Sequence, residues 1–320
     1  MRPGVRNPAL SSRSFADDVR RYLQLVPRQL PSRYLYDPLG SALFEAICEM
    51  PWYGITRAEL RLLAEHRDEI FRHLPRLTRI VELGPGDGRK LQTLVGGASA
   101  PLTAHLIDVS RAALARSAQT LSGAAQLTLV EHEASFEDGL DELADLSTEH
   151  DRPLLLFLGS NLGNFDPPES LSLLRRMRAS LGRGGTLLIG ADLVKPERDL
   201  LLAYDDPLGL SAAFNLNLLL RINRELGGRF DLRTFRHHAV WNAACSRMEM
   251  YLVSTKNQRV DIEGIDLGVD FAEGEPIWTE SSYKYAAEGV IRLLADAAFA
   301  RVAQWVDRRD AFALTLARAI

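Results

Sequence analysis

The stretch Val81-Glu82-Leu83-Gly84-Pro85-Gly86-Asp87-Gly88-Arg89-Lys90, VELGPGDGRK, decides how the rest of the chain is read. A β-rich run leads into it and a helical pattern follows, the setting in which a glycine turn brings backbone close to a ligand. Spacing then separates the ligands such a loop can serve. A dinucleotide fingerprint, G-x-G-x-x-G, would need glycine at position 89, where this chain has Arg. What remains is a compact turn with an acid, Glu82, just ahead of it. In LIDVS, Asp108 closes the next β-rich run, where a carboxylate can take both hydroxyls of a ribose. As a helix N-cap or turn residue, Asp108 would need no ligand at all.

Outward from the loop, short β-rich runs alternate with longer helical patterns. The runs are RIVELG (79–84), TAHLIDV (103–109), LTLVEH (127–132), LLLFLGS (154–160) and TLLIGADL (186–193). Between them, SRAALARSAQTL (110–121) and PESLSLLRRMRASL (168–181) carry apolar residues at helical spacing. This predicts an α/β fold, a parallel sheet with helices on both faces. The rhythm then changes. Residues 202–232 read as helix, 234–255 alternate like an antiparallel hairpin, and WTESSYKY (278–285) fits neither pattern. A helix over 286–297 and two strands, FARVAQWV (299–306) and FALTLARAI (312–320), close the chain as a class I methyltransferase sheet closes. The expected organisation is a Rossmann-like methyltransferase domain of residues 1–194 and 286–320, with an N-terminal helical segment, and an inserted α+β substrate domain of 195–285.

Composition sets bounds on function. The chain has 320 residues, 46% apolar and 25% charged, a net charge of −4 and a pI near 6.0. Without a basic face nucleic acid is an unsuitable partner, and no apolar run reaches the roughly 20 residues that span a bilayer. Two cysteines, Cys48 and Cys245, show no metal-ligand spacing. These features lead us to expect a cytoplasmic protein acting on a small molecule, without a metal; we also expect a monomer, though composition does not bear on that.

The acid and compact glycine turn resemble the first motif of S-adenosylmethionine-dependent methyltransferases. Further blocks narrow the likeness. They are SRYLYDPLGSALFEAICEMPWY (32–53), TRAE (56–59), VELGPG (81–86), FLGSNLGNF (157–165), GADLVK (190–195), AYDDPLGLSAAFNLN (203–217), RMEMYL (247–252), VDFAEGE (269–275) and TESSYKY (279–285). Together they resemble the histidine Nα-methyltransferases of ergothioneine biosynthesis, from about Leu30 to the end. The resemblance implies S-adenosylmethionine as cofactor and L-histidine as acceptor.

Position by position, the resemblance implies that Gly84, Gly86, Lys90, Asp108, Ser135 and Phe136 contact the cofactor. Ser135 stands where the family often has Asp, and Ser135, Glu137 or Asp138 would have to accept from the adenine amino group. Gly54 replaces a second aromatic often found beside Tyr53. On the acceptor side, Asn164, Tyr204 and Tyr53 would hold the amino-acid end, and Tyr36 would lie by the reacting nitrogen. Glu280 and Ser282 would grip the imidazole, with Met250 as an apolar wall. An amide offers donors and an acceptor to a zwitterion; a carboxylate and a hydroxyl match the two ring nitrogens. On residue type alone, the tyrosines could be packing residues, Asn164 a turn residue and TESSYKY a polar loop.

Methyl transfer from a sulfonium is an in-line displacement on an already activated carbon, so the protein's task is to present a neutral amine in line. Faces of Tyr36, Tyr53 or Phe214 could support the growing cation. Two other readings stay open: the same fold acting on another amino acid or amine, and a catalytically silent cofactor-binding protein.

Overall fold

Ile80, Val81, Leu83, Leu154–Leu156 and Leu187–Ile189 are buried without polar alternation. That is the pattern of parallel strands covered on both faces. The computed structural model describes residues 8–96, 101–145 and 151–320. They form two compact units, one of the described residues within Tyr53–Pro196, Ala244–Arg247 and Ser282–Ile320, the other of those within Met1–Trp52, Glu197–Ala243 and Met248–Ser281.

The first of these units holds a seven-stranded sheet. Its strands lie in the order Phe299–Asp307, Phe312–Ala319, Thr186–Asp192, Leu154–Phe157, Arg79–Leu83, Leu102–Asp108 and Leu127–Glu133. Phe312–Ala319 runs antiparallel to both its neighbours, while the pairings among the five strands from Thr186–Asp192 to Leu127–Glu133 are parallel. This is the class I methyltransferase order expected from the sequence. Helices Pro167–Leu181 and Ala287–Asp296 cover one core, in which Phe157, Leu174, Met177, Val290 and Leu294 are buried. The strand order reverses between Leu154–Phe157 and Arg79–Leu83, the switch point beside which open α/β sheets bind ligands.

The other unit is built on a four-stranded sheet in the order Arg28–Gln29, Pro276–Tyr283, Arg247–Ser254, Phe235–Asn242. A two-stranded antiparallel ladder, Gln258–Ile262 with Leu267–Phe271, adds to it. Its N-terminal part differs from the expected division, in which residues 1–194 went with the methyltransferase sheet. Arg28 pairs with Ile277 and Gln29 with Trp278, which ties the N-terminal segment to the insertion. Asp37 adds a polar anchor: it caps helix Pro38–Cys48 through Gly40 N–H and accepts from Asn217 (2.7 Å) and Arg224 (2.7 Å) on or near helix Leu210–Leu226. Burial alone would raise this carboxyl, but those three donors outweigh it and hold it below the ordinary range.

WTESSYKY resolves as the end of a strand, Pro276–Tyr283. Its alternation is hidden because the buried positions are polar: Thr279, Glu280, Ser282 and Lys284 are all under a tenth exposed.

Candidate active site

Gly84 and Gly86 both take left-handed backbone, φ 67° and 60°, as the chain leaves strand Arg79–Leu83. A Cβ on Gly84 would sit 3.2 Å from the Asn161 amide and 3.3 Å from the Phe136 ring, whereas one on Gly86 would meet nothing within 4 Å. The loop is therefore tight on one side and open on the other, a surface against which a cofactor fits. Phe136 stands edge-on to Phe157, centroids 5.7 Å apart, which fixes its ring beside the loop.

Asp108 lies at the end of the adjacent strand. Its Oδ1 accepts from Ser110 N–H at 2.8 Å, the turn role foreseen for it. Burial pushes its carboxyl up to about 6, against the pull of the Ser110 amide and Arg116. A carboxylate held charged against such a penalty gains from two ribose hydroxyls, so the donor set fits the group. Glu82 is more extreme. It is fully buried, neither oxygen has a hydrogen-bond partner among the described residues, and burial pushes its carboxyl up to about 8.

Lys90 is no exposed helix residue. Its ammonium lies 2.8 Å from Glu59, which is fully buried and also accepts from Gly159 N–H at 2.8 and 3.0 Å. Glu59 pins the first turn of helix Arg89–Val95 to the end of strand Leu154–Phe157, and Gly190 leaves it room, because a Cβ there would overlap the carboxylate. Ser135 donates to Asp138 Oδ2 (2.8 Å) and accepts from Asp138 N–H (3.1 Å), so its hydroxyl serves the start of helix Phe136–Asp145. Gly54 also has a structural reason: a Cβ would come 2.5 Å from Asp310, a carboxylate paired with Arg61.

Asn164 ends the short turn Asn161–Asn164 and is half-buried. The turn begins at Gly159 and Ser160, both left-handed (φ 78° and 58°), and Ser160 Oγ accepts from Asp192 N–H at 2.9 Å. Gly163 packs directly on the end of the polar strand, since a Cβ would come 2.7 Å from Tyr283 O and 3.6 Å from Ser282 Oγ. Asn164 and Ser282 are thus neighbours by way of backbone contact. Ser282 Oγ in turn receives Lys284 Nζ at 3.0 Å, and that ammonium is paired with Asp192 at 2.9 Å. Tyr53 is buried in the same unit.

The other unit carries Tyr36, Tyr204, Met250 and Glu280. Tyr36 packs edge-on to Phe44 and Phe214, each 5.5 Å away, so two of the three aromatic residues expected near a cation belong to one cluster. The Tyr204 carbonyl, at the end of helix Glu197–Tyr204, lies 2.8 Å from His237 Nε2, and Asn215 Nδ2 lies 3.0 Å from the other ring nitrogen. Burial holds His237 below the usual imidazole range, so it sits there neutral, donating to Tyr204 and accepting from Asn215. Met250 and Glu280 stand on neighbouring strands, stitched by Thr279 Oγ1 donating to Met250 O at 2.9 Å. Glu280 and Ser282, two apart on one strand, share a face.

The sequence model of histidine-specific, S-adenosylmethionine-dependent methyltransferases matches residues 15–319. The chain belongs to this family. A histidine N-alpha-methyltransferase of Mycolicibacterium smegmatis is 39% identical over 306 residues, 94% of this chain and 93% of its own. The Mycobacterium tuberculosis protein of the same description is 37% identical over equal shares. Ergothioneine biosynthesis protein 1 of Neurospora crassa is 28% identical over 87% of this chain but only 32% of its own length. The methyltransferase uses S-adenosylmethionine, and no helix among its described residues is long and apolar enough to cross a membrane.

Sequence reasoning named no role for Glu59, Asn161 or Lys284. Glu59 left a readable signal, since in ITRAELRLL it falls on the helical stripe of Ile55, Ala58, Leu62 and Leu63, where a lone acid needs a partner. Lys284 left none: a lysine after a tyrosine in a polar octapeptide reads as solvated.

Proposed function

We propose that this methyltransferase converts L-histidine to its Nα-trimethyl betaine, a step of ergothioneine biosynthesis. The observation that carries the reading is the strand Pro276–Tyr283, which presents a buried carboxylate, Glu280, and a buried hydroxyl, Ser282, on one face. A carboxylate to accept from one ring nitrogen and a hydroxyl for the other suit the two edges of an imidazole. When bound, S-adenosylmethionine supplies the activated methyl group. The chain's own residues bind and aim the amine. Asn164, Tyr204 and Tyr53 hold the amino-acid end, Met250 walls the ring, and Tyr36 lies beside the nitrogen, backed by Phe44 and Phe214. Successive methyls remove N–H donors, so aromatic faces, worth roughly 0.5–2 kcal/mol to a cation, support the later steps.

Gly84, Gly86, Lys90, Asp108 and Phe136 hold the cofactor, and Ser135 supports the Phe136 helix rather than reaching for adenine. Residues 195–285, with the N-terminal segment that pairs with them, form the substrate-selecting part. The enzyme works as a cytoplasmic monomer, which sedimentation velocity on the purified chain would test.

Mass spectrometry after incubation with S-adenosylmethionine and a panel of amino acids is the deciding experiment. Mono-, di- and trimethylated histidine should appear, and Glu280→Ala should lose the preference for imidazole. A protein that binds S-adenosylhomocysteine but methylates another amino acid faster would refute the substrate, and one that methylates nothing would refute the activity.

A further inference from the structure

Lys284 is a lysine with no exposed side-chain surface. Its ammonium sits between Asp192 Oδ2 (2.9 Å) and Ser282 Oγ (3.0 Å). Asp192 is itself fixed on its other oxygen by Lys195 Nζ (2.6 Å), which also donates to Asp310 O (2.6 Å). Backbone bonds lock the surroundings: Tyr285 N–H donates to Asp192 O, and Lys284 N–H donates to Ser246 O at 2.7 Å. A buried ion pair of this kind adds little stability beyond what a well-packed apolar pair would give. What it supplies that an apolar pair cannot is direction. An ammonium has three donors and no acceptor, so its bond to Ser282 makes that oxygen the acceptor and turns the hydroxyl hydrogen away from Lys284.

We propose that Lys284 is a positioning residue for substrate selection, fixing the Ser282 hydroxyl as a hydrogen-bond donor toward the side chain of the amino-acid acceptor. The inference rests on the reading that Ser282 contacts that ring. It deepens the reading, because a fixed donor accepts only a ring nitrogen with a free lone pair. A neutral imidazole meets that demand while its N–H serves Glu280. A ring with an N–H but no second nitrogen leaves the Ser282 donor facing carbon.

The test compares Ser282→Ala, Lys284→Met and the double variant in steady-state methylation of histidine, with calorimetric binding of S-adenosylhomocysteine alongside. Each single variant should raise the KM for histidine up to about tenfold, the scale of one neutral hydrogen bond. The kcat and the cofactor affinity should stay within about twofold. The double variant should be no worse than the weaker single one, because Lys284 acts only through Ser282. Additive losses, or a Lys284→Met protein with unchanged KM beside an impaired Ser282→Ala, would overturn the role of Lys284 and leave ring binding intact. An unchanged KM in Ser282→Ala would overturn both. Should Lys284→Met not fold, Lys284→Gln keeps a donor for Asp192 while its amide no longer obliges Ser282 to accept, and the same rise in KM is expected. The native enzyme gives a further check: β-pyrrolylalanine, which keeps the ring N–H but lacks the acceptor nitrogen, should compete with histidine at least about tenfold more weakly than histidine itself binds. Equal binding overturns the proposal.

Discussion

Asp108→Asn should make the cofactor-free enzyme more stable and a worse binder of its cofactor. Burial raises the Asp108 carboxyl from 3.8 to about 6. That gap of roughly two units is about 3 kcal/mol, an upper bound on the cost of holding the carboxylate charged in the folded chain. The sign follows from linkage. A raised acid binds its proton more tightly when folded, so its stabilisation is complete below about pH 4 and is lost as pH rises through about 6. Above that, native protein carries the full cost and the asparagine variant carries none. Asparagine keeps an oxygen for Ser110 N–H, so the turn survives. For 320 residues, 3 kcal/mol corresponds to a rise in Tm of about 4 °C. Calorimetric scans at pH 8 should show that gain, shrinking towards zero by pH 4. S-adenosylhomocysteine should bind the variant about tenfold to a hundredfold more weakly, having exchanged a carboxylate for an amide under two hydroxyls. A variant less stable at pH 8, a gain independent of pH, or unaltered cofactor affinity would refute the reasoning.

Glu59→Ala should cost about 3–5 kcal/mol of stability, because it removes a buried carboxylate that pairs with Lys90 and accepts from the Gly159 N–H; urea unfolding measures it, and a loss below 1 kcal/mol would mean Glu59 is dispensable. Gly163→Ala should cost about 1–3 kcal/mol and raise the KM for histidine, since a methyl cannot fit 2.7 Å from Tyr283 O without moving Asn164 and Ser282. Unchanged kinetics would show that the turn yields harmlessly. His237→Leu should raise the KM for histidine and lower stability by about 1–3 kcal/mol, by freeing the Tyr204 carbonyl and an Asn215 donor. S-adenosylhomocysteine binding should not move, and a change there would place His237 in a different role.

Much of the methyltransferase sheet was legible because its strands are buried on both faces and read as aliphatic runs, and because the glycine loop imposes a local backbone demand. The pairing of the N-terminal segment with the insertion was not legible, since Arg28 and Ile277 lie about three quarters of the chain apart and leave no local trace. WTESSYKY hid its strand for a related reason: periodicity assumes the buried side is apolar, whereas here Asp192 and Lys284 make a polar interior hospitable. At Ser135 the resemblance implies a cofactor contact, while the structure shows its hydroxyl bonded to Asp138 as a cap, a local role the sequence could have suggested from a serine three residues ahead of an aspartate.

The strand Phe312–Ala319 occupies an interior lane of the sheet, yet the ribosome delivers it long after its neighbour Thr186–Asp192. Until it arrives, a fully buried-type strand, TLLIGAD, presents open backbone along one side. The nascent protein therefore spends the synthesis of the entire insertion with a sticky seam, and refolding yield should fall with protein concentration for the same reason. Any change that slows the closing hairpin, such as a stiffer turn in place of Arg308-Arg309, would show first as inclusion bodies and only later, if at all, as lost catalysis.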